Sequence, residues 1–212
     1  MRGLRSAAVA VGLLSLALPS RADRVGVALS SGVFVPRMAE VRDMYGASIP
    51  AAFAVTWTLR SGLGFSLGFE YLSDGGRTVG SEDERLPIRL RLWTVPASVD
   101  YGRDWGWIRA SAGLGAGLNF YRETWETEGL EGLSAEGQRL GVFARVAAEV
   151  PITSNLAAAA VLRYGTLSTN FKSYLGNSIN LGGASVLVGL SYSFATDVAV
   201  RVNPARRRTD ER

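Results

Sequence analysis

The chain has 212 residues, 47% of them apolar, with 25 glycines and a formal net charge of +4, a length that suffices for one domain with a sizeable core. Cysteine and histidine are both absent, which excludes disulfides, thiol nucleophiles and thiolate metal sites and removes the commonest general base and the commonest metal ligand. No apolar run reaches the ~18 residues of a helical membrane span, and no basic stripe inside a recognisable module points to nucleic acid.

Arg2 and Arg5 precede an apolar run from Ala7 to Leu18, and Pro19 ends it. Ser20-Arg21-Ala22 then offers small residues at the two positions a signal peptidase reads. Residues 1–22 are therefore read as a cleaved export signal, with cleavage after Ala22. No cysteine follows that would carry a lipoprotein anchor.

From Asp23 on, the chain alternates with a period of two, the mark of strands. The first strand runs Val25 to Val35, with valines and Leu29 on one face and Gly26, Ala28, Ser30 and Gly32 on the other, and Pro36 ends it. Residues 37–48 are polar and read as a loop with Gly46 at a turn. Ala51 to Leu59 and Leu63 to Tyr71 form a hairpin about Arg60-Ser61-Gly62. Residues 73–85 read as a long polar loop. In the fourth strand, Leu86 to Tyr101, the apolar set moves from even positions (Leu86, Ile88, Leu90, Leu92) to odd ones (Trp93, Val95, Val99, Tyr101), which predicts a bulge near Pro96, and Gly102 to Asp104 reads as the short turn that follows.

The fifth strand carries the strongest signal. In Trp107 to Phe120, WIRASAGLGAGLNF, every even position is apolar and every odd position from Arg109 on is polar or glycine. That exceeds the ~5–6 residues of an ordinary strand and matches the roughly 9–11 of a tilted strand crossing a bilayer. Residues 122–138 read as an acidic loop, Leu140 to Val150 as a sixth strand and Leu156 to Thr166 as a seventh. The Ala157–Ala160 run suits helix as well as strand. Residues 168–182 form a Gly/Ser/Asn loop, and Ser185 to Phe194 is the eighth strand. Long and short connections alternate, and aromatics gather toward strand ends.

A strand cannot cross hydrocarbon alone, because its edge groups stay unsatisfied, so the eight strands must close. With this strand count, this loop asymmetry, the G-L-G-A-G-L segment 113–118 and the last strand, the chain resembles the small eight-stranded outer-membrane barrels of the OmpA/OmpX type over residues 24–194. The resemblance implies an all-β, antiparallel up-and-down transmembrane barrel over residues 23–194, in a Gram-negative envelope. It further implies recognition of the last strand by the barrel-assembly machinery through Gly189, Tyr192 and Phe194. Leu187 stands where a polar residue is usual, and residues 195–212 follow Phe194 as a basic, disordered periplasmic tail holding Arg201, Arg206, Arg207 and Arg208.

The parity of the strands places eight charges inside the barrel: Glu70, Arg89, Arg91, Asp100, Arg109, Arg145, Glu149 and Arg163. Eight strands leave an interior just wide enough for side chains, so these charges are read as a structural ion-pair network. Hairpin arithmetic sets Glu70 opposite Arg89, and Arg109 near Glu149 or Asp100. Gly113-Leu114-Gly115-Ala116-Gly117 lacks the spacing and following helix of a phosphate loop and reads as close packing. Glu123, Glu126, Glu128, Glu131 and Glu136 read as a solvated, self-repelling loop, with divalent cations at a lipopolysaccharide surface as the alternative.

The expectation is a monomeric, non-enzymatic outer-membrane scaffold. It needs no cofactor or metal, its partners are membrane lipid and lipopolysaccharide, and it binds no nucleic acid. The alternatives are an outer-membrane lipid-modifying enzyme, a periplasmic lipocalin-like carrier that would turn Phe65, Leu67, Val186 and Leu190 inward, and a narrow ion-conducting pore.

Overall fold

The computed structural model describes residues 24–79, 85–126, 134–167, 171–172, 178–179 and 182–195. The expected export signal, its cleavage site at Ala22 and the tail from residue 196 on lie outside them. The elements are β1 (Arg24–Pro36), α1 (Ala39–Tyr45), β2 (Ala51–Thr58), β3 (Leu63–Val79), β4 (Arg85–Trp105), β5 (Ile108–Trp125), β6 (Ser134–Pro151), β7 (Leu156–Leu167), β8 (Phe171–Lys172), β9 (Ser178–Ile179) and β10 (Gly183–Ala195). The two-residue β8 and β9 pair as a small ribbon. The other eight strands close in the order β1-β10-β7-β6-β5-β4-β3-β2, and β1 pairs antiparallel with both β2 and β10. Closure gives every strand two neighbours and leaves no edge unsatisfied.

The alternation is turned inside out relative to a water-soluble barrel. Phe53, Phe65, Phe69, Val95, Leu114, Val142, Leu162, Val186 and Leu190 are exposed, while Ser66, Ser98, Asn119, Ser185, Ser191 and Ser193 are buried. Phe65, Val186 and Leu190 point outward, the reverse of what a carrier needs. Aromatics mark both rims of this apolar wall. Trp93 packs on Tyr71 at 5.8 Å between ring centres and lies beside Phe120 at one rim. Tyr192 meets Phe194 edge-on at 4.9 Å near the other. The short turns at that second rim use glycines in the left-handed region, Gly62 at φ 88° and Gly106 at φ 66°.

The bulge expected near Pro96 is absent. The β3–β4 register is the same on both sides of the proline, Leu67 with Ala97 and Glu70 with Thr94, and the β4–β5 ladder runs unbroken from Ile88–Trp125 to Trp105–Ile108. Even positions of β4 face inward throughout. What changes along the strand is the surroundings. Beyond Trp93 the strand leaves the apolar wall, so its outer face meets water and its inner face becomes a water-excluding core. Arg91 is exposed there, while Ile88, Leu90 and Leu92 are buried.

For the same reason the polar segments 73–85 and 122–138 are largely strand rather than loop. β3 and β4 pair from Leu63–Tyr101 out to Val79–Arg85, and β5 and β6 out to Thr124–Ser134. Segment 37–48, expected as loop, contains α1. Val41 and Tyr45, one helical turn apart, share its buried face, and Gly46 ends it at φ 71°. The helix lies over the loop-side mouth and completes a cluster with Leu72, Ile88, Leu90, Leu92, Tyr121 and Trp125. Gly76 allows this contact, since a Cβ there would stand 2.6 Å from both the Met44 carbonyl and the Tyr45 ring. The Ala157–Ala160 run is strand, because β6 and β10 both offer it a ladder and tertiary context overrides helix propensity.

Candidate functional site: a charged lumen under an apolar cap

Inward parity puts polar side chains from all eight barrel strands into a narrow space, where each charge needs a partner. Arg163 of β7 reaches across to β3, and its Nη2 donates to both carboxylate oxygens of Glu70 at 2.7 and 2.5 Å. The same guanidinium sits 5.4 Å above the centre of the Phe143 ring. Toward the turn side, Arg145 of β6 lies 3.4 Å from Asp100 Oδ1 and donates to Ser66 at 2.9 Å. Ser98 donates to Asp100 Oδ2 at 2.8 Å and shares a hydrogen bond of 2.6 Å with Ser66. Thr94 donates to Asn119 at 2.8 Å. Gly113 and Gly115 make room: a Cβ at the first would strike Asp100, and at the second the Phe143 ring.

Six of the eight expected lumen charges stand on inward faces: Glu70, Asp100, Arg109, Arg145, Glu149 and Arg163. Arg89 and Arg91 do not. They occupy the outer face of β4 above Trp93, where Arg89 pairs with Glu126 at 2.6 Å. Glu70 faces Thr94, not Arg89, because the hairpin turns farther out than its polar midpoint suggests. Arg109 is in register with Glu149, yet its ion pair runs to Asp104 at 3.7 Å. Asp100, the alternative partner for Arg109, is held by Arg145. Gly189, Tyr192 and Phe194 lie on β10, glycine inward and both aromatics outward.

A polar group under α1 escaped the reading of residues 122–138 as loop. Glu123 is 3% exposed and carries on the inward parity of Asn119 and Tyr121; extending the alternation past Phe120 would have found it. Tyr45 of α1 donates a hydrogen bond to it. Beside them, Ser48 donates to Asp74 at 2.5 Å. The group lies above the aromatic rim, outside the apolar wall. Burial pushes the Glu123 carboxyl above its ordinary value of 4.5, and the Tyr45 hydrogen bond opposes that rise. Burial, with the Glu123 and Asp74 carboxylates, raises the Tyr45 hydroxyl too.

A raised carboxyl contributes stability that is fully present below its unfolded value and is lost as pH rises through its folded one. Docking of α1 is therefore expected to be tightest in acid and to loosen toward neutral pH. Protection factors of the α1 amides, with the intrinsic base-catalysed rise in exchange divided out, should fall over that interval in the wild type and stay flat in Glu123→Gln. A wild-type profile without slope would refute this account.

Around the charge pairs the interior holds small cavities of about 60, 60 and 90 Å³, room for a few waters each.

No protein-family model matches the sequence, and no curated protein matches it. Solved structures do match. A major outer membrane protein from Thermus thermophilus superposes with a TM-score of 0.58 at 14% identity, over 80% of this chain and 99% of that one. Ail, the attachment invasion locus protein of Yersinia pestis, superposes with a TM-score of 0.50 at 12% identity, over 82% and 99%. At such identities the likeness is one of architecture, and the chain has the fold of the small outer-membrane β-barrels.

Proposed function

We propose that the chain is an outer-membrane β-barrel acting as a monomeric, non-enzymatic scaffold, which holds its loop-side hairpins above the membrane on a filled and capped barrel. The observation that carries this reading is the inverted barrel itself, an apolar wall outside and paired charges inside. The likeness to outer-membrane proteins supports the location.

Lipid, lipopolysaccharide included, is the partner its wall suits. Arg91 and Arg122, both exposed and outward, are direct cross-strand neighbours one pleat above the Trp93–Phe120 pair. Glu136, in register on the other side, lies 3.6 Å from Arg122, so Arg91 is the member of this like-charged pair that suits an outside anion, and phosphates occupy that depth in a lipopolysaccharide leaflet. The aromatics Tyr192 and Phe194 on the outer face of the last strand suit recognition by an assembly machinery. Bound by such partners, the protein would need no cofactor.

Heat-dependent gel mobility and retention in carbonate-washed membranes test the location, and recovery in a soluble periplasmic extract would overturn it. Planar-bilayer recording tests the filled interior, with no resolvable single-channel current expected. A stable, ion-selective current altered by Arg109→Ala would make the lumen charges a permeation path instead.

A further inference from the structure

We propose that the turn-side rim of the barrel is a binding site for the phosphate headgroup of an anionic phospholipid, a proposal that rests on the membrane-barrel reading. A cavity of about 420 Å³ opens at this end, and Arg24, Arg60, Arg103, Arg109, Asp104 and Tyr101 are among its lining residues. The fold gathers these groups from separate stretches of chain. Arg24 begins β1 beside Thr58 at the end of β2, and Arg60 sits in the turn that follows. Arg103 and Arg109 flank the β4–β5 turn. The Gly102 amide donates to the Gly62 carbonyl at 2.9 Å and ties the two turns together.

Among the described residues, four guanidinium groups and one carboxylate line the cavity. Guanidinium forks suit the paired oxygens of a phosphate. The surplus of positive charge favours an anionic headgroup over a zwitterionic one, whose ammonium would find among the described lining residues one carboxylate, Asp104, already beside Arg109 at 3.7 Å.

Depth and direction favour a lipid over a soluble anion. Arg91 and Arg103 stand about a dozen residues apart on the outward face of β4. At ~3.3 Å per residue and a strand tilt near 40°, they lie roughly 30 Å apart along the membrane normal. The apolar band of outer-membrane barrels is about 25 Å tall, so Arg103 falls just past the hydrocarbon, at headgroup level. Trp105 and Trp107, 57% and 73% exposed, stand at the same turn, where interfacial aromatics belong. Arg24 and Arg109 face inward while Arg103 and Tyr101 face outward, so the cavity straddles the rim. A headgroup seated there can send its acyl chains up the outer wall past Tyr101.

The test uses the full chain refolded into nanodiscs of equal parts phosphatidylcholine and phosphatidylglycerol, then released into detergent and weighed by native mass spectrometry. Phosphatidylglycerol should be retained over phosphatidylcholine by roughly tenfold, since basic side chains at a membrane surface prefer anionic lipid. Arg60→Gln/Arg103→Gln should bring the two lipids to parity. Added inorganic phosphate should leave the retained lipid in place. Equal retention by the wild type, an unchanged preference in the double variant, or displacement by inorganic phosphate would each overturn the proposal, the last by making this a soluble-anion site. If the double variant loses its heat-modifiable band, Arg103→Gln alone, at an exposed outward position, carries the comparison. Failure of the membrane-barrel reading would look different, as no heat-modifiable protein in nanodiscs of any composition.

Discussion

Glu70→Ala and Arg163→Ala are each expected to destabilise the barrel more than the double variant does. The pair crosses the lumen from β3 to β7, and its side chains are only 8% and 16% exposed. Removing one member leaves a charge in a space too small to hydrate it, at a cost on the order of 3–5 kcal/mol for a fully buried pair. Lumen water lowers that figure. Removing both leaves a neutral gap. Of the single variants, Glu70→Ala should be the worse. It strands Arg163 directly across the ladder from Arg145, and like charges so placed repel; the Phe143 face offsets only part of this. Urea titration of the refolded protein in detergent, followed by heat-dependent mobility, checks the ranking. A double variant weaker than either single one would show that the two residues do not act as a pair.

Gly189→Val is expected to prevent the barrel from closing, whether or not an assembly machinery is present. At the β1–β10 seam the two backbones approach so closely that a Cβ on Gly189 would strike the Leu29 carbonyl and Ser30 Cα. From the other side, a Cβ on Gly32 would strike the Val186 carbonyl and Leu187 Cα. Backbone atoms cannot step aside as a flexible side chain can. Overpacking a fitted interior typically costs about 1–3 kcal/mol, and here the relief available is to part the seam. Refolding of purified protein in detergent should yield little heat-modifiable band for Gly189→Val and a normal band for Phe194→Ala. Truncation after Phe194 should still assemble in cells, where Phe194→Ala should assemble poorly. Normal refolding of Gly189→Val would return this glycine to a purely recognition-based role.

Alternation alone makes the barrel legible, because a bilayer demands long strands with one greasy face, and β5 meets that demand along its whole central stretch. The β2–β3 hairpin is equally legible, since Gly62 marks its turn; the next turn, expected at Gly102 to Asp104, falls instead at Gly106, because β4 and β5 stay paired out to Trp105–Ile108. The lumen is legible only as a set of residues. Parity tells that Glu70 and Arg163 both point inward, but nothing in the order of residues tells that strands so far apart in the chain face each other across the axis. The loop-side region is misread where the rule itself changes. Residues 73–79 look like loop because neither face there needs to be greasy, and α1 is hidden because its buried apolar face is short, Val41 and Tyr45 with Met44 beside them. Arg89 and Arg91 are assigned to the lumen on the premise that greasy always means outward, a premise that holds no farther than Trp93.

That reversal makes β4 a depth gauge written in amino acids. Between Leu92 and Trp93 the side on which water stands changes, although the backbone continues without a step. Below the mark, evolution can trade one oily outward residue for another but has little freedom inside. Above it the permissions swap sides: outward positions such as Ser134 are free to drift among hydrophilic residues, and inward ones such as Ile88 are constrained as in any soluble protein. The emergent part therefore carries a miniature soluble core of its own, roofed by α1. Its outer surface can diversify without asking anything of the apolar-walled part below.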